Sequence, residues 1–130
     1  MTEFARTLAA SASGMQAQAT RLRLTSENIA NADTPGYRRK TVSFRDVMDR
    51  ALQTRLVKAG GVRLDQREPQ KIYEPGHPLA DATGHYQGSN VNLIMEIADA
   101  RESHRSYEAN LRIFDQTRQM ARSALELLRR

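Results

Sequence analysis

The segment Asn28-Ile-Ala-Asn-Ala-Asp-Thr-Pro-Gly-Tyr37 ends a long helical pattern and turns the chain. Pro35 fixes φ at the second position of a type II turn, and Gly36 accepts the positive φ of the third. The residue before a proline is pushed out of the helical region, which ends the helix locally. The segment therefore predicts a helix C-terminus and a rigid turn, formed by Asn28, Asn31, Asp33, Thr34, Pro35, Gly36 and Tyr37. Glu74-Pro-Gly-His77 has the same X-Pro-Gly-X pattern and predicts a second type II turn at Pro75 and Gly76.

Two stretches of helical periodicity flank these turns. In two predicted helices, α1 from Ala5 to Ile29 and α2 from Leu93 to Leu128, apolar or small residues recur at intervals of three and four. The pattern is broken at Ser26 in α1 and includes the polar His104 and Arg118 in α2. The α1 seam is Ala5, Leu8, Ala12, Met15, Ala19, Leu22 and Ile29. The α2 seam is Leu93, Ile97, Ala100, His104, Tyr107, Leu111, Phe114, Arg118, Ala121, Leu125 and Leu128. Asn90 or Asn92 can cap the second helix.

These helices are long for a chain of this size. At about 1.5 Å per residue they would extend about 40 and 55 Å, beyond what a globule of this mass needs. We therefore predict a mainly α fold, in which two long terminal helices pair as an antiparallel coiled coil and leave apolar surface for other copies. Residues 1–37 and 90–130 would form this axial domain, and 38–89 a small mixed subdomain inserted between the helices.

The structure of the insertion stays open at this point. Phe44, Val47, Met48, Ala51, Leu52 and Leu56 have helical spacing and favour a short helix. Thr41-Val-Ser-Phe44, Val62-Arg-Leu64 and Lys71-Ile-Tyr73 favour strands of a small sheet instead.

Composition limits the possible functions. The chain has 130 residues, of which 39% are hydrophobic and 5% aromatic, so its core is small. It has no cysteine, and its histidines, His77, His85 and His104, lack the close spacing of a metal pair. No phosphate loop or nucleophile motif is present, so we expect no catalytic residue, no metal ligand, no cofactor and no enzymatic activity. We also expect no transmembrane segment and no secretory signal peptide.

The net charge of +5 is concentrated in the middle, where ten basic residues between Arg38 and Lys71 face four acidic ones. This leaves two function classes. A structural subunit would need the apolar seams, whereas a basic helical nucleic-acid-binding protein would use Arg38-Arg39-Lys40 and bind with strong salt dependence.

Two segments carry a family resemblance. SENIANADTPGYRRKTVSF, residues 26–44, resembles the N-terminal signature of bacterial flagellar rod and hook proteins. YEPGHPLADATG and SNVNLIMEIADARESHRSYEANLRIFDQTRQM, residues 73–84 and 89–120, are similar to the FlgC family of flagellar basal-body proximal rod proteins. The segment Arg38 to Gln70 matches only loosely.

The resemblance implies a structural axial subunit that polymerises helically through its terminal helices to form the proximal rod. Its partners would be itself, other proximal rod subunits, the distal rod, the adaptor between the rod and the MS ring or export gate, and the flagellar type III export apparatus. No nucleic acid would be bound. Export by that apparatus, without a cleaved signal peptide, would place the subunit in the periplasmic part of the basal body.

The seams supply the candidate site residues. We expect coiled-coil and inter-subunit packing by Leu8, Met15, Leu22, Ile29, Leu93, Ile97, Tyr107, Leu111, Phe114, Ala121, Leu125 and Leu128. His104 and Arg118 interrupt the α2 seam, and we expect them to make register-setting or inter-subunit polar contacts, because a buried unpaired charge would be costly.

Overall fold

The computed structural model describes residues 2–130 and consists of two long helices joined by short antiparallel strand pairs. The elements in chain order are α1 (Thr2–Ala30), β1 (Lys40–Thr41), β2 (Phe44–Asp49), β3 (Thr54–Ala59), β4 (Arg63–Leu64), β5 (Lys71–Tyr73), β6 (His85–Gln87) and α2 (Leu93–Arg129). Within residues 2–130, neither helix is apolar enough over a sufficient length to cross a membrane.

Both terminal helices lie where the periodicity places them. α1 has 29 residues and α2 has 37, or about 44 and 56 Å at 1.5 Å per residue. Of the two candidate caps, Asn92 begins α2, since its side chain accepts a hydrogen bond of 3.3 Å from the Met95 amide. Asn90 instead accepts from the Arg39 amide at 2.6 Å.

The helices lie side by side and run in opposite directions. Asn28 near the end of α1 bonds to Glu96 near the start of α2, and Arg21 contacts Asp99. Further along, Gly14 packs against the Asn110 side chain. Residues near the end of α1 thus lie opposite residues near the start of α2, and earlier residues of α1 lie opposite later residues of α2.

The region from 44 to 59 is a β-hairpin, so the short-helix interpretation is wrong. β2 and β3 pair antiparallel from Phe44 opposite Ala59 to Asp49 opposite Thr54. β3 also packs along α1, and the Val57 amide donates to Ser13 Oγ at 3.1 Å. These contacts join residues distant in sequence, and such contacts override a local helical spacing.

The remaining strands form two more antiparallel pairs. β1 pairs with β4, and β5 pairs with β6 from Lys71 opposite Gln87 to Tyr73 opposite His85. The strand predictions at 62–64 and 71–73 are therefore confirmed within the bounds of β4 and β5. The predicted strand at 41–44 is divided between the end of β1 and the start of β2.

The two X-Pro-Gly-X turns differ in geometry. At the first, the Tyr37 amide donates to the Thr34 carbonyl at 3.1 Å and Gly36 has a φ of 75°, as a type II turn requires. The second also closes, from the His77 amide to the Glu74 carbonyl at 3.0 Å, but φ at Gly76 is not positive. The type II prediction there is wrong, because the chain continues directly into another turn, closed from Ala80 to His77.

The core is small and largely polar. Among residues 2–130, the buried hydrophobic side chains are Ala17, Leu24 and Val91. The side of α2 that faces α1, the contact stripe, consists of Glu96, Ser103, Asn110 and Thr117, at intervals of seven. Small and polar side chains thus bring the helices together, and most of the predicted seam lies beside this stripe.

Candidate functional site

The long apolar side chains of α2 are largely in contact with solvent. Leu93, Ile97, Leu111, Leu125 and Leu128 from the predicted seam are all exposed, from 39% at Leu111 to 78% at Leu128. Tyr107, Phe114 and Ala121 are half-buried. The pairing of α1 with α2 within one chain thus leaves these apolar side chains uncovered. Ser103, Asn110 and Thr117, spaced by seven residues, face α1 instead. At 100° per residue they lie about 80–120° around the helix from Leu111.

The α1 seam is also only partly covered. Leu8, Met15, Leu22 and Ile29 are half-buried, while Ala19 is exposed. The two seams meet along an open groove of about 280 Å³, whose lining includes Ala12, Met15 and Ala19 from α1 and Tyr107 and Phe114 from α2. The two seams thus lie next to each other on the same side of the helix pair. Packing of these residues between subunits stays a prediction.

A second apolar stripe on α2 was missed by the sequence reasoning. The outer stripe consists of Met95, Ala98, Glu102, Ser106, Ala109, Ile113, Gln116, Met120, Ser123 and Leu127, at intervals of three or four. All are exposed except the half-buried Ser106. Scanning α2 for a second period would have revealed it, but its small and polar members made it weaker than the leucine-rich seam.

The segment 28–37 holds the bases of the two helices together. The Gly36 amide lies 3.2 Å from the Gly88 carbonyl, and the Asn90 amide donates to the Tyr37 carbonyl at 3.3 Å. Ser89 Oγ donates to the Ala32 carbonyl. The turn after α1 is thus bound to the segment that leads into α2.

Asn28 is the centre of this junction and is fully buried. Its Nδ2 donates to the Lys40 carbonyl at 2.9 Å and to Glu96 Oε2 at 3.2 Å. Its Oδ1 accepts from the Lys40 amide at 2.9 Å and from the Tyr37 hydroxyl at 2.8 Å. The Asn28 side-chain amide therefore binds the turn, β1 and α2. Partial burial of Tyr37 at this junction raises the pKa of its hydroxyl.

Arg39 joins three acidic residues beside Asn28. Its Nε donates to the fully buried Glu96, its Nη2 lies 3.0 Å from Asp99, and its Nη1 lies 3.7 Å from Asp65. Hydrogen bonds from Arg67 hold the pKa of Asp65 at about 2, with a smaller contribution from Arg39. These contacts compensate the charge of Glu96, which burial alone would destabilise.

The comparisons with known proteins match both ends of the chain. The family described as flagella basal body rod protein matches residues 8–38, and the C-terminal family of flagellar basal body rod FlgEFG proteins matches 82–127. The flagellar basal-body rod protein FlgC of Agrobacterium fabrum is 45% identical over 90% of this chain and 89% of its own length. The chain belongs to the FlgC family.

Other FlgC proteins are similar over nearly the same extent. The protein of Salmonella typhimurium is 34% identical over 88% of this chain and 90% of its own, and that of Bacillus subtilis is 33% identical over 98% and 99%. The chain is thus a structural subunit of the flagellar basal-body rod and associates with other rod components. The two matched regions contain most of α1 with its turn and most of α2.

FlgC membership leaves the nucleic-acid alternative without support, and the basic cluster does not favour it. Arg39 is engaged by Glu96 and Asp99, while Lys40 Nζ lies 3.0 Å from Glu27. Arg38 donates to the Asp65 carbonyl at 3.2 Å. Positive charges paired within the chain release fewer counterions from nucleic acid than free ones.

The two polar positions of the FlgC seam lie on the surface. His104 Nε2 is 3.2 Å from Glu108 Oε1, one turn further along α2. Arg118 is exposed. Contacts of either side chain with a neighbouring subunit stay predictions.

Proposed function

We propose that this rod subunit polymerises helically through α1 and α2, which pair as an antiparallel coiled coil, and that it forms the proximal part of the rod. The observation that carries this proposal is the row of exposed apolar side chains along α2, from Leu93 and Ile94 at its start to Leu127 and Leu128 at its end. Extended apolar surface of this kind marks a protein interface.

The energetics support assembly through this surface. Full burial of one leucine, isoleucine or methionine side chain contributes about 1.5–3 kcal/mol, and partial burial proportionately less. Leu93, Ile97, Leu111 and Leu125 are 39–47% exposed, so each retains a substantial area for a neighbouring copy to cover. The contribution repeats along α2, and neighbouring copies also cover the groove at Met15 and Tyr107.

The chain divides into an axial unit, 1–37 with 90–130, and an inserted unit, 38–89. The type II turn at Pro35 and Gly36 marks the point where the chain leaves the helix pair. The hydrogen bonds from this turn to Gly88 and Asn90, where the chain returns, support this division. The insertion then lies along α1, where the Val57 amide donates to Ser13 Oγ, and does not interrupt the helix pair.

The remaining assignments follow from the family. The subunit contacts other proximal rod proteins, the distal rod and the adaptor that joins the rod to the MS ring or export gate. It reaches the periplasm through the flagellar type III apparatus without a cleaved signal peptide, and its function involves no catalysis. The family of structural rod proteins to which the chain belongs supports these assignments.

Substitution of Leu111 by aspartate tests the proposal, with Gln119→Asp as the matched control. Both positions are exposed on α2, and both changes introduce one negative charge. We expect L111D to fold but to be absent from purified basal bodies and to abolish motility, and Q119D to assemble normally. The half-buried Leu22 on the α1 seam allows the same test with Leu22→Asp. Normal incorporation and motility of L111D would contradict the proposal.

A further inference from the structure

The outer stripe of α2 is exposed along its length within residues 2–130, and near its end Phe4 of α1 borders Gln116, Met120, Ser123 and Leu127. Met95, Ile113, Met120 and Leu127 are 46–67% exposed, and Ala98, Ala109 and Ser123 between them are exposed and small. At 100° per residue the stripe is about 100° wide and lies about a quarter turn from Ser103. Small residues alternating with long apolar ones form a surface on which another helix can pack closely.

The α1 seam is the matching surface on the same molecule. Its seven residues contain no charged side chain and are at most half-buried, and apart from the break at Ser26 they recur at the same intervals. The seam opens into the groove with Tyr107 and Phe114, whereas the outer stripe lies on the other side of the contact stripe. One chain therefore cannot close the two surfaces on each other.

The charges of the two surfaces, and the positions of these charges along the helix axis, indicate how two copies pack together. Within one chain, Asn28 meets Glu96 and Gly14 meets Asn110. Interpolation between these two contacts places Arg23 opposite residue 101 of α2. Along the helix axis, Arg23 and Glu102 therefore lie within about one residue of each other. Glu102 is the charged member of the outer stripe. Arg23 borders the α1 seam and is exposed, and its contact with Glu27 of the same helix, at 3.1 Å, is itself solvent-exposed, so that Arg23 can also reach a neighbouring copy. Two parallel copies at the same height would bring these opposite charges together.

We propose that the α1 seam of one copy packs on the outer stripe of α2 of the next copy, and that Arg23 pairs with Glu102 across this contact. The inference rests on the proposed assembly through the terminal helices and names the two faces that meet. Because different faces of each copy are used, the contact is heterologous and leaves one free face at each end. Such a contact continues from copy to copy and builds an open polymer.

Disulfide trapping tests this contact directly, because the natural chain has no cysteine. Ser26, which interrupts the α1 seam, and Ala98 on the outer stripe are both exposed and stand at the same height by the register above. We expect the double variant S26C/A98C, expressed as the sole copy in flagellated cells, to give a ladder of linked dimers, trimers and larger species when purified basal bodies are oxidised.

The control is S26C/D115C, whose second cysteine lies on another side of α2, at an exposed position outside the seam and the outer stripe. We expect it to enter basal bodies and to give no ladder. S26C or A98C alone should also remain unlinked. A double variant S26C/A98C that is incorporated without a ladder would overturn the contact, and so would linkage of either single variant to itself. Absence of the wild-type chain from basal bodies would instead refute the proposed function.

Charge reversal supplies a second measurement. Glu102→Arg and Arg23→Glu should each reduce the yield of the S26C/A98C ladder several-fold, and combining both changes in one chain should restore it. Equal yields in all four backgrounds would overturn the pairing of Arg23 with Glu102.

Discussion

Asn28 on α1 donates a hydrogen bond to Glu96 on α2 over 3.2 Å, and both side chains are fully buried. This contact joins two residues 68 positions apart in the chain. Around it, Tyr37, Lys40 and Arg39 complete a polar network at the base of the helix pair. In a protein with so few buried hydrophobic residues, this network contributes to the alignment of the two helices.

Removal of the Asn28 side chain should destabilise the fold strongly. Asn28→Ala leaves the Lys40 backbone and the Tyr37 hydroxyl without their partner, and buried groups left unpaired cost about 1–3 kcal/mol each when water cannot replace the lost bond. We expect a loss of about 2–4 kcal/mol in the free energy of unfolding, measured by urea denaturation. Asp33→Ala, at an exposed position of the same segment, should change it by less than about 0.5 kcal/mol. Equal effects of the two variants would contradict the role of Asn28.

Arg39 and Glu96 should be energetically coupled. Breaking a buried ion pair by removing one partner costs about 3–5 kcal/mol, because the remaining charge is uncompensated. Arg39 keeps Asp99 after Glu96→Gln, so we expect the lower end of that range for this variant. The double variant R39Q/E96Q should lose less than the sum of the single losses in a denaturation cycle. Additive losses would show that the pair is not coupled.

Low pH should reduce the contribution of Asp65 to the stability of the fold. Its pKa is lowered from 3.8 to about 2, chiefly by hydrogen bonds from Arg67. A carboxyl group whose pKa is lower in the folded state stabilises the fold above its unfolded pKa and loses this effect as the pH falls through the folded value. The stability difference between the natural chain and Asp65→Asn should therefore be constant above about pH 5 and shrink between pH 4 and 2. A difference that does not change over this range would refute the assignment.

The effect of a substitution at Gly14 on stability should depend on Asn110. A Cβ at residue 14 would lie 2.8 Å from Asn110 Nδ2, which donates to the Ser106 carbonyl at 3.0 Å. Alanine is better than glycine in a helix by about 1 kcal/mol, but in the natural chain the clash should offset this gain. We expect Gly14→Ala to stabilise the protein clearly only in an Asn110→Ala background. The thermal midpoints of the four variants measure this coupling, and the same gain in both backgrounds would exclude it.

Substitution of Ser103 should stabilise the monomer. Within residues 2–130 its Oγ is buried on the contact stripe and has no hydrogen-bond partner. Ser103→Ala removes the desolvated hydroxyl and improves helix propensity, so we expect a gain of about 1 kcal/mol in urea denaturation. The exposed Ser123→Ala shares only the propensity gain and serves as the control. Equal gains would show that burial of the Ser103 hydroxyl has no cost.

Much of the fold was predictable because its signals are local. Helical periodicity placed α1 and α2, and Pro35 with Gly36 defined the first turn, since both depend on neighbouring residues and backbone sterics. The second turn shows the limit of this reasoning. Glu74-Pro-Gly-His77 has the same pattern, but the path of the chain into the next turn gives it another geometry.

The site was predictable only in part. The seams were predicted to be apolar and to leave surface open for other copies. The contact stripe was not predicted, because periodicity gives the direction of a side chain without showing which direction faces α1. The pairing of Arg39 with Glu96 joins residues 57 positions apart, and many other pairings were compatible with the composition. The β2–β3 hairpin likewise depends on β3 packing against α1.

The amino-acid sequence alone determined two long terminal helices, the rigid turn after the first, and membership of a rod-protein family, because these depend on local spacing and on motifs. Only the tertiary structure decided that Ser103, Asn110 and Thr117 face α1 while Leu93, Ile97 and Leu111 face solvent. Close approach at Gly14 and the buried network at Asn28 and Glu96 orient the helices in this way. As a result, apolar surface along both helices remains open.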